Sequence, residues 1–249
     1  MAPSVNVSME TLRQGAQALG ISLGQEQLWA FQLYYLELAR HAPYADLTSV
    51  TDLQGVQRRH FLESLALGRR LLDMGLLPAG EEEAVIDIGT GGGFPSLPIR
   101  LVWDFPLTLL EADGRKVRFL KRLVALLGLQ HVQIIWGRAE EVAHLPQHRE
   151  TYRLALARAV APLPVLVELA LPFLEVGGAL ASPKGERAYQ EIEEAAAALR
   201  ELGGEVVHVA PLTVPGPGPY PTLVVVTKAR PSPLKYPRRP GVPQKRPLR

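Results

Sequence analysis

Between Ala84 and Lys228 short apolar runs alternate with longer amphipathic ones, and no other feature of the chain restricts its fold as much. The spacing predicts strands at 84–88, 106–111, 132–136, 153–158, 178–184, 205–211 and 221–228, with helices at 94–102, 114–128, 163–174 and 186–202. A helical crossover returns the chain to the same end of the sheet, so consecutive strands run parallel and helices cover both faces. The last two strands are joined by "PLTVPGPGPYP", which leaves no room for a helix. They are therefore expected to pair antiparallel at one edge.

Residues 1–79 read as a helical cap. Ser8 is placed to cap a short helix that ends at Gly20, and Ser22 with Gln25 has the spacing of a capping box for a second. That second helix carries Leu28, Phe31, Tyr35 and Leu38 at helical spacing, which marks Phe31 and Tyr35 as core. "HAPYADLTSVTD" reads as a loop, Asp52 as a helix start, and "RRHFLESLALGRRLLDMG" as an amphipathic helix closing at Gly75. His60 in that run is expected to bond or pack where these helices meet the core. "LLPAGEEE" then links the cap to the alternating region at 80–227.

The alternating region opens with "AVIDIGTGGGFPSLPIR", residues 84–100. In a doubly wound sheet a ligand lies beyond the carboxyl ends of the strands, where this glycine loop falls. A dinucleotide fold needs a third glycine for close helix–strand packing, but Phe94 stands there, and no Gly-Lys-Ser/Thr follows for a phosphate loop. The phosphate-binding readings are weakened. S-adenosylmethionine is a nucleoside that carries no phosphate. It needs close backbone approach, which Gly89, Gly91 and Gly93 allow. Asp87, ending the first strand, is placed to meet its ammonium. Glu111 ends the second strand, 22 residues beyond Gly89, and can accept from both ribose hydroxyls. Ala139 and Glu140, after the third strand, offer an apolar slot and a polar edge for adenine. Taken singly, Asp87 or Glu111 could instead cap the following helix, and Glu140 could be a solvated charge. Their order at three successive strand ends favours the methyl donor. The fold class is then α/β: a Rossmann-like class I S-adenosylmethionine-dependent methyltransferase, with a seven-stranded sheet and an N-terminal helical extension.

"DIGTGGGFPSLPIR", "EADGRKVRFLKRL", "GRAEE", "ARAVAPL" and the upstream "DLTSV" and "RRHFLESL" together resemble the RsmG (GidB) family. Its members are bacterial methyltransferases that modify N7 of one guanosine in 16S ribosomal RNA, in a loop near the decoding site. The resemblance spans about residues 25–227. It implies a donor pocket that includes Gly89, Phe94, Ala112, Asp113, Ala139, Glu140 and Arg158. Lys184 matches a family lysine, and Arg115, Lys116 and Arg138 fall on basic family positions near the pocket. Four positions depart from the family pattern: Asp46 for Asn, Ser96 for Gly, Glu111 for Asp, and "SPKG" around Lys184 for Ala-Leu-Lys-Gly.

The chemistry agrees in part by exclusion. The chain has no cysteine, so neither a covalent cytosine adduct nor an iron–sulfur cluster is open to it. "ARAVAPLP" after the fourth strand lacks the Asp/Asn-Pro-Pro-aromatic motif usual for adenine amino groups. Guanine N7 has a free lone pair and no proton to lose, so positioning dominates and no general base is required. Arg or Lys is the usual donor to the guanine O6/N7 edge, which makes Arg138, Lys184 and Arg115 the expected substrate-side residues. Arg158 could shape the donor pocket directly or as an ion pair with Glu140 or Asp113. No metal site is expected. The product would be S-adenosylhomocysteine.

Charge is unevenly placed. Residues 228–249 hold eight basic side chains and no acidic one, leaving 19 of the 27 basic residues against 25 acidic ones in the remainder. A flexible basic, proline-rich tail on an acidic body suits a polyanion such as the small ribosomal subunit. Arg58 and Arg59 could touch phosphates or stay solvated. The N-terminal stretch has no basic start followed by an apolar run, so a soluble cytoplasmic monomer without membrane contact is expected. Two other readings fit the same fold: a small-molecule methyltransferase, and a non-catalytic nucleotide- or RNA-binding assembly factor.

Overall fold

Seven strands form close to where the apolar runs predict them: β1 (Val85–Ile88), β2 (Leu107–Glu111), β3 (Val132–Trp136), β4 (Tyr152–Leu156), β5 (Leu174–Lys184), β6 (Gly204–Pro211) and β7 (Thr222–Lys228). The structure, a computed structural model, describes residues 7–78, 80 and 83–248. The strand order is β3-β2-β1-β4-β5-β7-β6, with β7 antiparallel to both β5 and β6 and every other pairing parallel. The order reverses between β1 and β4, which opens a crevice at their carboxyl ends.

Period-two alternation divides the sheet between two cores. Val85, Leu107, Leu109, Leu154, Leu156 and Val225 face one side, and Ile86, Ile88, Leu110, Ala155, Leu180 and Val226 face the other. The first side is covered by α1 (Glu10–Ala18), α2 (Gln25–Ala45), α3 (Leu53–Val56), a π-helical turn at Gln57–Leu62, α4 (Glu63–Asp73), α5 (Ser96–Arg100) and α6 (Gly114–Leu126). The N-terminal helices thus share a core with the sheet: Leu12, Phe31 and Leu65 sit in one cluster with Val85 and Leu107. The second side is covered by α7 (Ala139–Val142), α8 (Leu163–Ala170), α9 (Ala188–Glu194) and α10 (Ala196–Leu202). Among the described residues no helix is long and apolar enough to cross a membrane.

Several local expectations change. The second helix starts at Gln25 with Gly24 as its N-cap, and its reciprocal bond runs from Gly24 N–H to Gln27 Oε1 at 2.9 Å, not between Ser22 and Gln25. It continues through Pro43 to Ala45, consuming part of the expected loop. Asp52 does cap its helix, accepting from Gly55 N–H at 2.8 Å. Within the linker "LLPAGEEE", Ala79, Glu81 and Glu82 lie outside the described residues, and with them the boundary expected between cap and sheet.

The largest correction concerns the tail. Instead of a solvated extension, residues 229–248 fold back across α7 and α8 and end in a turn of helix, α11 (Val242–Lys245). Polar bonds hold it along its length. Arg149 donates to the carbonyls of Ser232 and Tyr236 at 3.0 and 2.9 Å, and Ser232 Oγ donates to Leu202 O at 3.0 Å. Tyr236 is buried and Leu248 packs on the second core. Proline-rich chain loses less entropy on ordering, and its carbonyls find donors here, so net basic charge did not dictate solvation.

Candidate active site

The loop after β1 is built by its glycines and by two carboxylates. Gly89 and Gly91 adopt φ of 65° and 59°, a region that glycine enters without steric cost. A Cβ added to Gly91 would stand in open space, 4.0 Å from Gly89 O, so the loop presents bare backbone to the crevice. Gly93 differs from expectation. A Cβ there would strike Leu97 at 2.5 Å and Tyr34 Oη at 2.6 Å, so this glycine serves packing. Tyr34 Oη donates to Gly92 O at 2.7 Å, which ties the loop to α2.

Asp87 is wholly buried behind the loop and lines neither of the two cavities that meet there. Its Oδ2 accepts from Thr90 Oγ1, Ser96 Oγ and Ser96 N–H at 2.8, 2.5 and 3.3 Å, while Oδ1 has no partner. Burial raises its carboxyl to about 7 against those hydrogen bonds. Here it anchors the loop rather than facing an ammonium. Glu111 links the loops after β1 and β2: Oε2 accepts from Gly91 N–H and Oε1 from Asp113 N–H, both at 2.9 Å. Each carboxylate oxygen keeps a second lone pair for a hydroxyl.

Two cavities meet at this loop. The inner one, about 510 Å³, is lined by Gly89, Glu111, Ala112, Arg138, Ala139 and Glu140, among others. The outer one, about 880 Å³, is walled by the 47–50 loop, Arg59, His60, Glu63, Gly91, Phe94, Arg158 and Lys184. Gly89, Lys116, Val160 and Ala161 line both, so a molecule spanning them passes the ends of β1 and β4.

Of the side chains expected at the donor, Glu111, Ala112, Ala139 and Glu140 therefore share the inner cavity, while Phe94 and Arg158 stand in the outer one. Asp113 lines neither. It caps α6, accepting from Arg115 N–H at 2.8 Å, and its ion pair with Arg115 holds its carboxyl well below the usual range. Arg115 is exposed, engaged with Asp113 and lines neither cavity. Arg138 lines the inner cavity and not the outer one, 3.1 Å from Glu140 Oε1. Lys184 lines the outer cavity as expected, with Nζ bonded to Ala161 O at 2.7 Å and paired with Glu191 at 3.0 Å. Burial lowers its pKa, opposed by Glu191. Arg158 pairs with Glu63 at 3.3 Å, not with Glu140 or Asp113.

Lys116, expected only as a basic position near the pocket, lines both cavities. Two other parts of the site escaped the sequence reading. Tyr34, three residues beyond Phe31 on the buried stripe, stacks on Phe94 with planes 3° apart. Gly241, Pro243, Gln244 and Lys245 of the tail form one wall of the inner cavity. A local signal for the tail existed: Glu168 is a lone carboxylate in the apolar run "LPVLVELA", and a buried carboxylate needs a cation.

The arrangement fits a methyl donor of nucleoside type. It offers a side-chain-free cradle at Gly89 and Gly91, a strand-end carboxylate with spare lone pairs, and an apolar slot beyond. Residues 27–215 match the family model described as "GidB: rRNA small subunit methyltransferase G". The chain is 41% identical to the ribosomal RNA small subunit methyltransferase G of Roseiflexus sp. (strain RS-1) over 241 residues, covering 96% of this chain and 100% of that one. It is 43% identical to the protein of that name from Chloroflexus aggregans over 232 residues, 93% and 94% of the two chains. Among solved structures, a SAM-dependent methyltransferase from Aquifex aeolicus superposes with a TM-score of 0.52 at 18% identity, covering 74% of this chain and 97% of that one.

Proposed function

Because the chain belongs to the rRNA small subunit methyltransferase G family, we propose that it methylates N7 of a guanosine in 16S ribosomal RNA, in a loop near the decoding site, with S-adenosylmethionine as donor. The observation that carries this reading is the junction of the two cavities at Gly89, Lys116, Val160 and Ala161. The inner cavity takes the nucleoside of the donor and the outer one the target base. When bound, S-adenosylmethionine supplies the methyl carbon, which bonds to N7 as the bond to sulfur breaks with its electron pair.

The residues of the outer cavity suit a base that gains positive charge. Two cations there are paired with carboxylates: Arg158 with Glu63 at 3.3 Å, Lys184 with Glu191 at 3.0 Å. Paired cations can position guanine through O6 without opposing the forming charge at full strength. His60 is held neutral, its pKa lowered to about 4 by burial and then by Arg158. N7 has no proton to remove, so no group in the cleft needs to act as a base. The work of the site is orientation and exclusion of water.

The test uses methyl-labelled S-adenosylmethionine with undermodified small subunits and with their extracted RNA, followed by chemical cleavage at 7-methylguanosine. One strong cleavage site is expected. Label in RNA without cleavage would refute N7, and no label in either, despite donor binding, would refute the reaction.

A further inference from the structure

The inner cavity is closed on one side by a segment that the family's strand-end motifs do not include. Gly241, Pro243, Gln244 and Lys245 face Glu111, Ala112, Ala139 and Glu140 across it. The segment is not loosely laid there. Arg238 grips Glu168 on α8 with Nε and Nη2 at 2.8 and 2.6 Å, and its backbone N–H reaches Glu168 Oε1 at 2.8 Å. Glu168 has no exposed surface. Arg238 also donates to Arg246 O at 2.8 Å, closing the turn that holds α11. Gly241 N–H then donates to Glu140 Oε1 at 3.0 Å. One oxygen of the carboxylate expected to read adenine, Oε1, thus serves both the tail and Arg138. Gln244 brings an exposed amide to the same wall. An amide matches the donor–acceptor pair on an adenine edge, as Asn and Gln do when they recognise that base.

We propose that residues Gly241–Lys245 are donor-binding residues, with Gln244 meeting the adenine edge, and that Arg238 is the positioning residue that holds them in place through Glu168. This rests on the reading that S-adenosylmethionine occupies the inner cavity. It assigns the basic tail to the donor rather than to RNA phosphates.

The test is calorimetric titration of the full-length protein with S-adenosylhomocysteine, alongside steady-state kinetics on RNA. Gln244→Ala and Arg238→Ala are each expected to raise the Kd for S-adenosylhomocysteine roughly tenfold, the loss of one good polar contact. KM for the donor should rise with it, while KM for RNA and kcat at saturating donor stay near wild type. Arg238→Lys should recover part of the loss, since it keeps the charge but not the fork. Lys235→Ala, a tail cation paired with Glu201 away from the cavity, should leave donor affinity unchanged. Gln244→Ala leaves the Arg238 latch intact, so it reports on the wall even if Arg238→Ala unfolds. Wild-type binding with an unchanged Kd in Gln244→Ala would overturn the proposal. Failure of the wild type itself to bind either S-adenosyl compound would instead overturn the donor reading beneath it.

Discussion

His60 lies on the Phe94 ring, with centroids 4.5 Å apart and planes 25° apart. The Arg158 guanidinium covers the same phenyl ring at 5.1 Å, and its Nη2 is 3.1 Å from His60 Nδ1. His60 Nδ1 also lies 3.1 Å from Arg59 O, and Nε2 is bonded to Thr48 Oγ1 at 2.7 Å, so both ring nitrogens are engaged. Its pKa falls from 6.5 to about 4, chiefly through burial and then through Arg158. A histidine depressed in the native state stabilises it fully above 6.5 and ceases to do so as pH falls through 4. Urea unfolding of wild type and His60→Gln should therefore show a stability difference that shrinks by about 3 kcal/mol on acidification across that window. A pH-independent difference would refute the neutral imidazole.

Asp87 titrates in the opposite sense. Burial raises it from 3.8 to about 7, so its contribution is fully present below 3.8 and is lost as pH rises through 7. Asn at this position keeps an oxygen for Thr90 and Ser96 and carries no charge to bury. Asp87→Asn should accordingly gain stability relative to wild type as pH rises from acid to mildly alkaline, by about 4 kcal/mol. Asp87→Ala strips three donors of their acceptor and should cost about 3 kcal/mol at neutral pH. If Asp87→Asn tracks wild type at every pH, the buried carboxyl is not the titrating group.

The proposed division into a donor cavity and a base cavity makes two variants separable. Glu111→Ala frees the N–H groups of Gly91 and Asp113 and removes the acceptor proposed for ribose. It should raise the Kd for S-adenosylhomocysteine about 100-fold, the loss of more than one hydrogen bond to a charged group. Lys184→Ala removes a cation of the outer cavity only. It should lower kcat/KM for RNA about tenfold while calorimetry finds donor affinity intact. The reverse pattern would mean that the two cavities have been assigned to the wrong partners.

The parts of this site that were legible in the sequence lie where strands end. Val85 to Ile88 and Leu107 to Glu111 are short apolar runs whose ends are marked by a glycine loop and an acid, so Gly89, Gly91 and Glu111 could be assembled from local pattern. The β3 end works the same way for Ala139 and Glu140. The illegible parts depend on side-chain direction or on distant partners. Asp87 and Glu111 read alike as strand-end acids, yet one is sealed behind the loop and the other lines the cavity. Arg115 and Arg138 read alike as basic residues near a pocket, but the first pairs with Asp113 and lines neither cavity, while the second pairs with Glu140 in the wall of the inner one. Glu168 and Arg238 are 70 residues apart, and no periodicity connects them. Charge density alone therefore suggested a solvated tail.

With the tail assigned by that proposal to the donor, the mouth of the outer cavity is the expected place for contacts to RNA phosphates. Arg58 and Arg59 follow α3 and are both exposed. They line a groove with Glu186, Tyr220 and the prolines of the 214–221 loop, and Arg59, Glu63, Gly185 and Pro221 belong to both the groove and the outer cavity. A strand entering the cavity would thus run past two free guanidinium groups. Each phosphate contact to a single strand adds about 0.7 to the slope of log K against log salt. The double variant Arg58→Ala, Arg59→Ala should weaken RNA binding, flatten that slope by about 1.4, and leave the Kd for S-adenosylhomocysteine untouched. Fluorescence anisotropy on a labelled RNA fragment across a salt series measures it. An unchanged slope in this variant would place the phosphate path on another face.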